Sequence, residues 1–246
     1  MHIGLAIRLI QQQPNAGRVT DYAALAVAHG LTVVSYRRGD SGLTGSSGTG
    51  AASWANLAGA ASAITPHGSA TNGIGAATAG LGGKAGLKLD GSTQKGLFTA
   101  PALAAPATTN IHDYWIARQA SGGSGVARGV LQETGGANDV YMGTALAITA
   151  LGANVSSVIV NDAWQRCRIS RTGGAGCEIK CGAAAAVTGT GPNTAPNTAR
   201  VFGDLLLNWE WLLKMQLIGP KANFLTFSAA ADVAARTVDW TTAIQI

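Results

Sequence analysis

Short runs of apolar and polar residues alternate along much of this chain, and clusters of turn-forming residues separate them. Leu31–Tyr36, Gly86–Asp90, Asp113–Gln119, Val126–Gln132, Asp139–Met142, Leu146–Leu151, Val155–Val160, Trp164–Arg171, Cys177–Cys181 and Arg200–Trp209 read as strands. Gly122-Gly123, Gly135-Gly136, Gly173-Gly174 and the segment Gly189–Asn197 supply the turns between them. Strands that follow one another without intervening amphipathic helices imply a mainly antiparallel sandwich rather than a parallel α/β sheet.

One hairpin can be read to the residue. In Trp164–Arg171, Cys167 and Ile169 alternate with Arg166, Arg168 and Ser170; in the next strand Cys177, Ile179 and Cys181 alternate with Glu178 and Lys180. A turn centred on Gly174 sets Ile169 against Ile179 and Cys167 against Cys181, so both apolar faces coincide, as a half-buried antiparallel pair requires. The other face carries Arg168 across from Lys180, with Glu178 as the local counter-charge. Cys177 and Cys181 lie roughly 13 Å apart on one strand and cannot bridge. Cys167 and Cys181 can, although packed free thiols are the expectation for a chain made in a reducing cytoplasm.

The ends of the chain read differently. Thr20 is placed to cap a short helix from Asp21 to His29, stopped by Gly30, while Gln11–Asn15 reads as a loop or arm. Gly39–Gly50 reads as a loop, and residues 58–86, almost wholly Ala, Gly, Ser and Thr, as a long irregular connection. Trp211–Ile218 reads as a short helix closed by Gly219-Pro220, and Ser228 as the cap of another from Ala229 to Arg236. The expected division is an arm with a short helix over 1–30, a sandwich over 31–220 and an extension over 221–246, both arms packed, on this chain or on neighbouring subunits.

Composition supports a folded β domain. Hydrophobic residues make up 47% and charged residues 12%, which excludes a disordered solvating chain, and 34 glycines without a three-residue period punctuate many strands. The net charge is +5. Its densest spots, Arg37-Arg38 and the Arg166, Arg168, Arg171 group, lack an aromatic stacking platform, so no specific nucleic-acid partner is expected. Nor is membrane insertion, because no apolar run approaches the length of a span. Met1–Ile10, interrupted by Arg8, makes a poor signal peptide, and Asn154-Val155-Ser156 reads as a chance glycosylation triplet. The three cysteines and the scattered His2, His29, His67 and His112 have no zinc-like spacing, and no cofactor is expected.

Three stretches together resemble the concanavalin A-like and laminin G-like jelly-roll modules, particularly those of phage structural proteins. Tyr36–Leu43 followed by Ser53-Trp54-Ala55-Asn56 is similar to the opening segment and its "Trp-Ala-Asp" turn. Leu87-Lys88-Leu89-Asp90-Gly91 is similar to the "Phe-Asp-Gly" strand end, with Leu89 for the aromatic, and Trp164–Arg171 running on to Ile179 and Gly182 to a Trp-led hairpin. Phe202–Asn208 resembles the last strand, although Glu210-Trp211 stands where a Leu-Ser pair is common. The resemblance implies an antiparallel two-sheet jelly roll with short terminal helices. It further implies a virion protein, a capsid decoration, fibre or tail-tip component, contacting other virion proteins as a homo-oligomer. The alternative is a carbohydrate-binding adhesin for host-surface glycans.

Relatives of that fold include glycan hydrolases, so the resemblance also allows catalysis. Retaining glycosidases need paired carboxylates about 5–5.5 Å apart. Glu133, Glu178 and Glu210 show no such pattern, Asp139 follows Glu133 only across a Gly-Gly turn, and Gly122–Gly125 lacks a nucleophile elbow. Gly73-Ile74-Gly75 opens no helix after a strand, against a dinucleotide loop. The chain is therefore expected not to be an enzyme, with no catalytic or metal-binding residue, and the pattern points to no particular ligand-binding residue. A calcium site, which the resemblance allows, would draw on Asp113, Asn138 and Asp139, although acids in turns usually cap amides. Trp54, Trp115, Trp164, Trp209, Trp211 and Trp240 offer a sugar-stacking platform or, the favoured reading, core and interface packing.

Overall fold

The computed structural model describes residues 21–68, 73–81, 84–89, 94–106, 108–119, 132–133, 140–143, 147–150, 155–158, 162–173, 176–190, 194–203, 209–237 and 244–245. In chain order, helix α1 (Tyr22–Ala28) is followed by β1 (Thr32–Arg38), a single helical turn at Gly39–Gly42, β2 (Leu43–Thr44), β3 (Ser53–Trp54), β4 (Thr65–Pro66), β5 (Ala76–Leu81), β6 (Lys84–Lys88), β7 (Gly96–Thr99) and β8 (Ile111–Gln119). Then come β9 (Gln132–Glu133), β10 (Val140–Gly143), β11 (Ala147–Ala150), β12 (Val155–Val158), β13 (Trp164–Arg171), β14 (Cys177–Cys181), β15 (Val187–Gly189), β16 (Ala199–Phe202) and β17 (Trp209–Ile218). Helix α2 (Lys221–Thr237) and β18 (Ile244–Gln245) close the chain.

The large sheet runs β15-β14-β13-β8-β17-β6-β5, with β1 also on β17 and β18 on β13; a smaller sheet runs β4-β7-β16-β9, and β10-β11-β12 form a third. Alternation decides which side chains face which layer. Trp115, Ala117, Cys167, Ile169, Ile179 and Trp211 point from the large sheet into one core shared with Ile64, Phe98 and Phe202 of the smaller sheet side. Tyr114, Ile116, Leu213, Met215 and Leu217 point the other way and pack with Tyr22 and Ala26 of α1 and Phe224, Phe227 and Ala231 of α2. The architecture is an all-β sandwich whose outer face on the large sheet is roofed by two helices.

The β13–β14 hairpin has the register expected from alternation: Cys167 opposite Cys181, Arg168 opposite Lys180, Ile169 opposite Ile179. The free-thiol expectation is corrected. Cys167 and Cys181 form a disulfide with Cα atoms 4.2 Å apart, while Cys177 is free and buried. The covalent link closes a loop whose ends are 14 residues apart. Cys181→Ser is expected to cost about 3 kcal/mol, the entropy returned to the unfolded chain by a loop of this size. Urea unfolding with and without reductant checks this, since reduced wild type should match the variant.

The helix expected at Trp211–Ile218 is a strand, and the reason is physical. β17 is central and covered on both faces, so both alternating sets are apolar or paired and the run carries no clean period. A bulge between Trp211 and Leu213 further breaks the alternation. The true helix begins at Lys221, and its buried stripe Phe224, Phe227, Ser228, Ala231 and Ala234 has helical spacing. Ser228 does not cap it; its hydroxyl donates to Phe224 O one turn back, at 2.8 Å. At α1, Asp21 rather than Thr20 caps, accepting from Ala23 N and Ala24 N at 2.9 and 3.1 Å.

Residues 58–86 are less irregular than expected: they contain β4, β5 and the start of β6, whose small residues pair with Lys88, Leu87 and Gly86. β7 is a further strand, over Gly96–Thr99, where the sequence pattern predicts none. Within 126–131, 204–208 and Asn138-Asp139, the expected strands and ligands lie outside the described residues, as does the arm over 1–20.

Candidate functional site

A cleft of about 440 Å³ opens at one end of the large sheet, lined by Gly30, Thr32, Thr108, Thr109, Asn110, Ile218, Gly219 and Pro220. Three chain reversals meet there: the stop of α1, the approach to β8 and the exit from β17. Two glycines make the geometry attainable. Gly30 has φ +72° and Gly219 φ +148°, and a Cβ on Gly219 would lie 2.8 Å from Leu31 Cδ2. The Gly219 amide donates to Asn110 O at 3.2 Å, tying two of the walls together. Hydroxyl, amide and main-chain groups thus face a saccharide-sized volume.

His112 stands behind this cleft. Its Nε2 lies 2.9 Å from Gly219 O, so Nε2 carries the proton and the neutral ring donates to that carbonyl. The ring stacks on Phe224 with centroids 4.3 Å apart and 6° between planes. Burial pushes its pKa down to about 4; the Gly219 bond and Asp113 oppose the shift, and Arg171 and Lys221 add to it. Because the unfolded chain takes up this proton near pH 6.5, stability from His112 is complete above that value and is lost as pH falls towards 4. The expected loss is roughly 3 kcal/mol across the window. Urea midpoints at pH 7 and pH 4.5 should differ less in His112→Gln, whose amide still donates but does not titrate there.

Between the two sheets, at the same end, lies a buried polar cluster. Arg171 Nη2 reaches Asp113 Oδ2 at 2.5 Å, Gln216 Nε2 reaches Asp113 Oδ1 at 3.3 Å, and Arg200 Nη1 reaches Gln216 Oε1 at 2.6 Å. Arg37 donates to Trp54 O and Ser62 O at 3.0 and 2.6 Å and lies over the Phe98 ring. Lys214, opposite both Arg37 and Trp115, is buried with no hydrogen bond at Nζ. Burial lowers its pKa to about 8; Asp113 works against that shift, while Arg37, Arg171 and Arg200 reinforce it. Asp113 therefore neither caps a turn nor sits in a calcium loop; it is the counter-charge of a strand-borne cluster.

The other residues singled out from the sequence are dispersed. Glu178 joins Arg168 and Lys221 at 3.2 and 2.9 Å, and these partners hold its carboxyl low against burial. Glu210 is buried against Arg118 at 2.7 Å and Lys88 at 3.9 Å. Glu133 pairs in register with Arg200. Among the described residues no three His, Cys, Asp or Glu side chains converge as a metal site requires. Trp54, Trp115, Trp164 and Trp211 are buried, so the packing reading holds for these four. Among the described residues no helix is long and apolar enough to cross a membrane. The sequence offered no signal for the cleft, because its lining is Thr, Asn, Gly and Pro drawn from three distant turns.

No family model and no curated protein matches the chain. Solved structures do. A GH54 α-L-arabinofuranosidase soaked with a cyclic sulfate inhibitor superposes with a TM-score of 0.60 at 11% identity, covering 88% of this chain and 65% of that one. An arabinofuranosidase complexed with arabinofuranosyl-α-1,2-xylobiose gives 0.58 at 12% identity, covering 87% and 65%. Trypanosoma rangeli sialidase in complex with sialic acid gives 0.52 at 11% identity, covering 82% and 33%. The chain thus spans under two thirds of each of these proteins, and at such identities the likeness is one of fold. It supports the β-sandwich. It also corrects the expectation that the chain is not an enzyme, which rests on carboxylate spacing along the sequence: the arabinofuranosidases and the sialidase that superpose on it are glycoside hydrolases. Carboxylates meet across strands, where spacing in sequence carries no information.

Proposed function

We propose that this chain is a carbohydrate-binding β-sandwich domain that takes saccharide in the cleft of Thr32, Thr109 and Asn110. The observation that carries this is a saccharide-sized, hydroxyl- and amide-lined cleft framed by positive-φ glycines at Gly30 and Gly219. A fold shared with an arabinofuranosidase and a sialidase supports it as analogy. The test is calorimetric titration of the intact protein with arabino- and xylo-oligosaccharides and sialyllactose, with chromatography of each mixture to read cleavage. Binding that falls tenfold or more in Asn110→Ala and Thr109→Val supports the reading. Blank titrations throughout, or binding indifferent to both substitutions, overturn it.

A second reading places the domain on a phage particle, as a decoration, fibre or tail-tip protein that assembles as a homo-oligomer. Its support is the jelly-roll resemblance of Tyr36–Asn56, Leu87–Gly91 and Trp164–Gly182, and the Cys167–Cys181 disulfide suits a particle exposed to oxidising surroundings. The two readings are compatible, since an adhesin is a virion part. A monomer in solution that does not co-sediment with particles would remove the second.

A further inference from the structure

The helix-roofed face of the large sheet carries a second feature, away from the cleft. Arg166 lies five residues along β13 from Arg171, the residue paired with Ile111 near the cleft, on the order of 17 Å at strand rise. Around it a small half-open pocket, about 10 Å³, is lined by Tyr114, Arg166, Cys167, Arg168, Lys180, Gly182 and Asp232. That is room for one water-sized group.

The pocket's charges do not balance. Arg166 Nη1 donates to Asp232 O at 2.5 Å and its Nε lies 3.6 Å from Asp232 Oδ1, an oxygen that also accepts from Tyr114 at 3.0 Å. Glu178 is divided between Arg168 and Lys221. Four cations, Arg166, Arg168, Lys180 and Lys221, thus share two carboxylates among the described residues. The side chain of Arg166 is 3% exposed, yet its Nη2 has no acceptor, and neither has Arg168 Nε. A buried guanidinium N–H without an acceptor is costly, more so than a neutral donor. Tyr114 beside it, whose burial holds the phenol protonated, brings no negative charge.

We propose that Arg166 and Arg168, assisted by Lys180, form a binding site for a carboxylate group, one oxygen of which fills the pocket and accepts from Arg166 Nη2 and Arg168 Nε. Planar guanidinium donors suit a carboxylate, and each such bond is charge-assisted. The carboxylate has two sources, a small free acid or a uronic acid within a glycan. The site does not depend on the cleft, so it stands or falls separately from saccharide binding there.

The test uses the intact protein and three probes at equal ionic strength: sodium acetate, sodium glucuronate and glucose. Titration is followed by calorimetry and by the shift in melting temperature. The expected result is binding of glucuronate, not of glucose, weakened tenfold or more in Arg168→Gln and several-fold in Lys180→Gln. Both substituted side chains reach the surface, so these variants are expected to fold, and their far-UV spectra verify it. Acetate binding as well as glucuronate identifies a general carboxylate site; glucuronate alone identifies an acidic sugar. Equal binding of glucose and glucuronate, absence of binding by either acid, or indifference to both substitutions overturns the proposal.

Discussion

Asp113→Asn is expected to destabilise the protein by about 3–5 kcal/mol, the cost of removing one partner from a buried ion pair. The mechanism is specific to where the residue sits. Asp113 is wholly buried between the two sheets and accepts from Arg171 and Gln216, and Gln216 in turn accepts from Arg200. Its charge is also the one that favours protonated Lys214, against Arg37, Arg171 and Arg200. Asparagine keeps the shape but leaves those cations facing one another across a low-dielectric layer. The check is urea unfolding at pH 7: a midpoint shift at unchanged slope, sized as above, would bear the argument out. Lys214→Met should move the other way, by on the order of 1–3 kcal/mol, because it removes a buried ammonium without a hydrogen bond. Wild type binds this proton less tightly folded than unfolded, so between pH 8 and 10 its stability from Lys214 rises with pH. The variant should lack that rise.

Trp54→Ala is the second large effect, about 3–5 kcal/mol. Trp54 is fully buried and meets Phe202 edge to face at 5.4 Å; its Nε1 donates to Arg38 O at 2.9 Å. Its main chain bonds reciprocally with Ile64 at 2.9 Å in both directions, and its carbonyl accepts from Arg37. Truncation therefore opens a cavity between the sheets and removes the hydrogen bond that the indole gives to the Arg38 carbonyl. The residue ends the short strand β3 and its carbonyl holds Arg37, so its loss should also loosen the seat of Arg37. Calorimetric melting compared with Trp54→Phe separates the two contributions, since phenylalanine restores much of the volume but not the N–H.

The parts of this fold that were legible in the sequence are those set by local alternation. The Cys167–Cys181 hairpin, half-buried on one side, could be assigned its register from five residues because a slip by one would turn every apolar side chain outward. The α1 stop at Gly30 was legible for a similar reason, since a positive φ there needs glycine. What lay beyond the sequence depended on partners far along the chain. β17 reads as a helix in the sequence because burial on both faces erases the period that identifies a strand. β5, built mostly of Ala, Thr and Gly, carries little propensity of its own and gains its strand state from pairing with β6, and the short β7 gains it from pairing with β16 and β4. The candidate cleft, the Asp113 cluster and the Arg166 pocket join residues that no spacing relates. Local pattern determined which segments could pair and in what register. Only the closing of one sheet over another, and of two helices over the outer face, decided which charges were buried together and where a ligand-sized space was left.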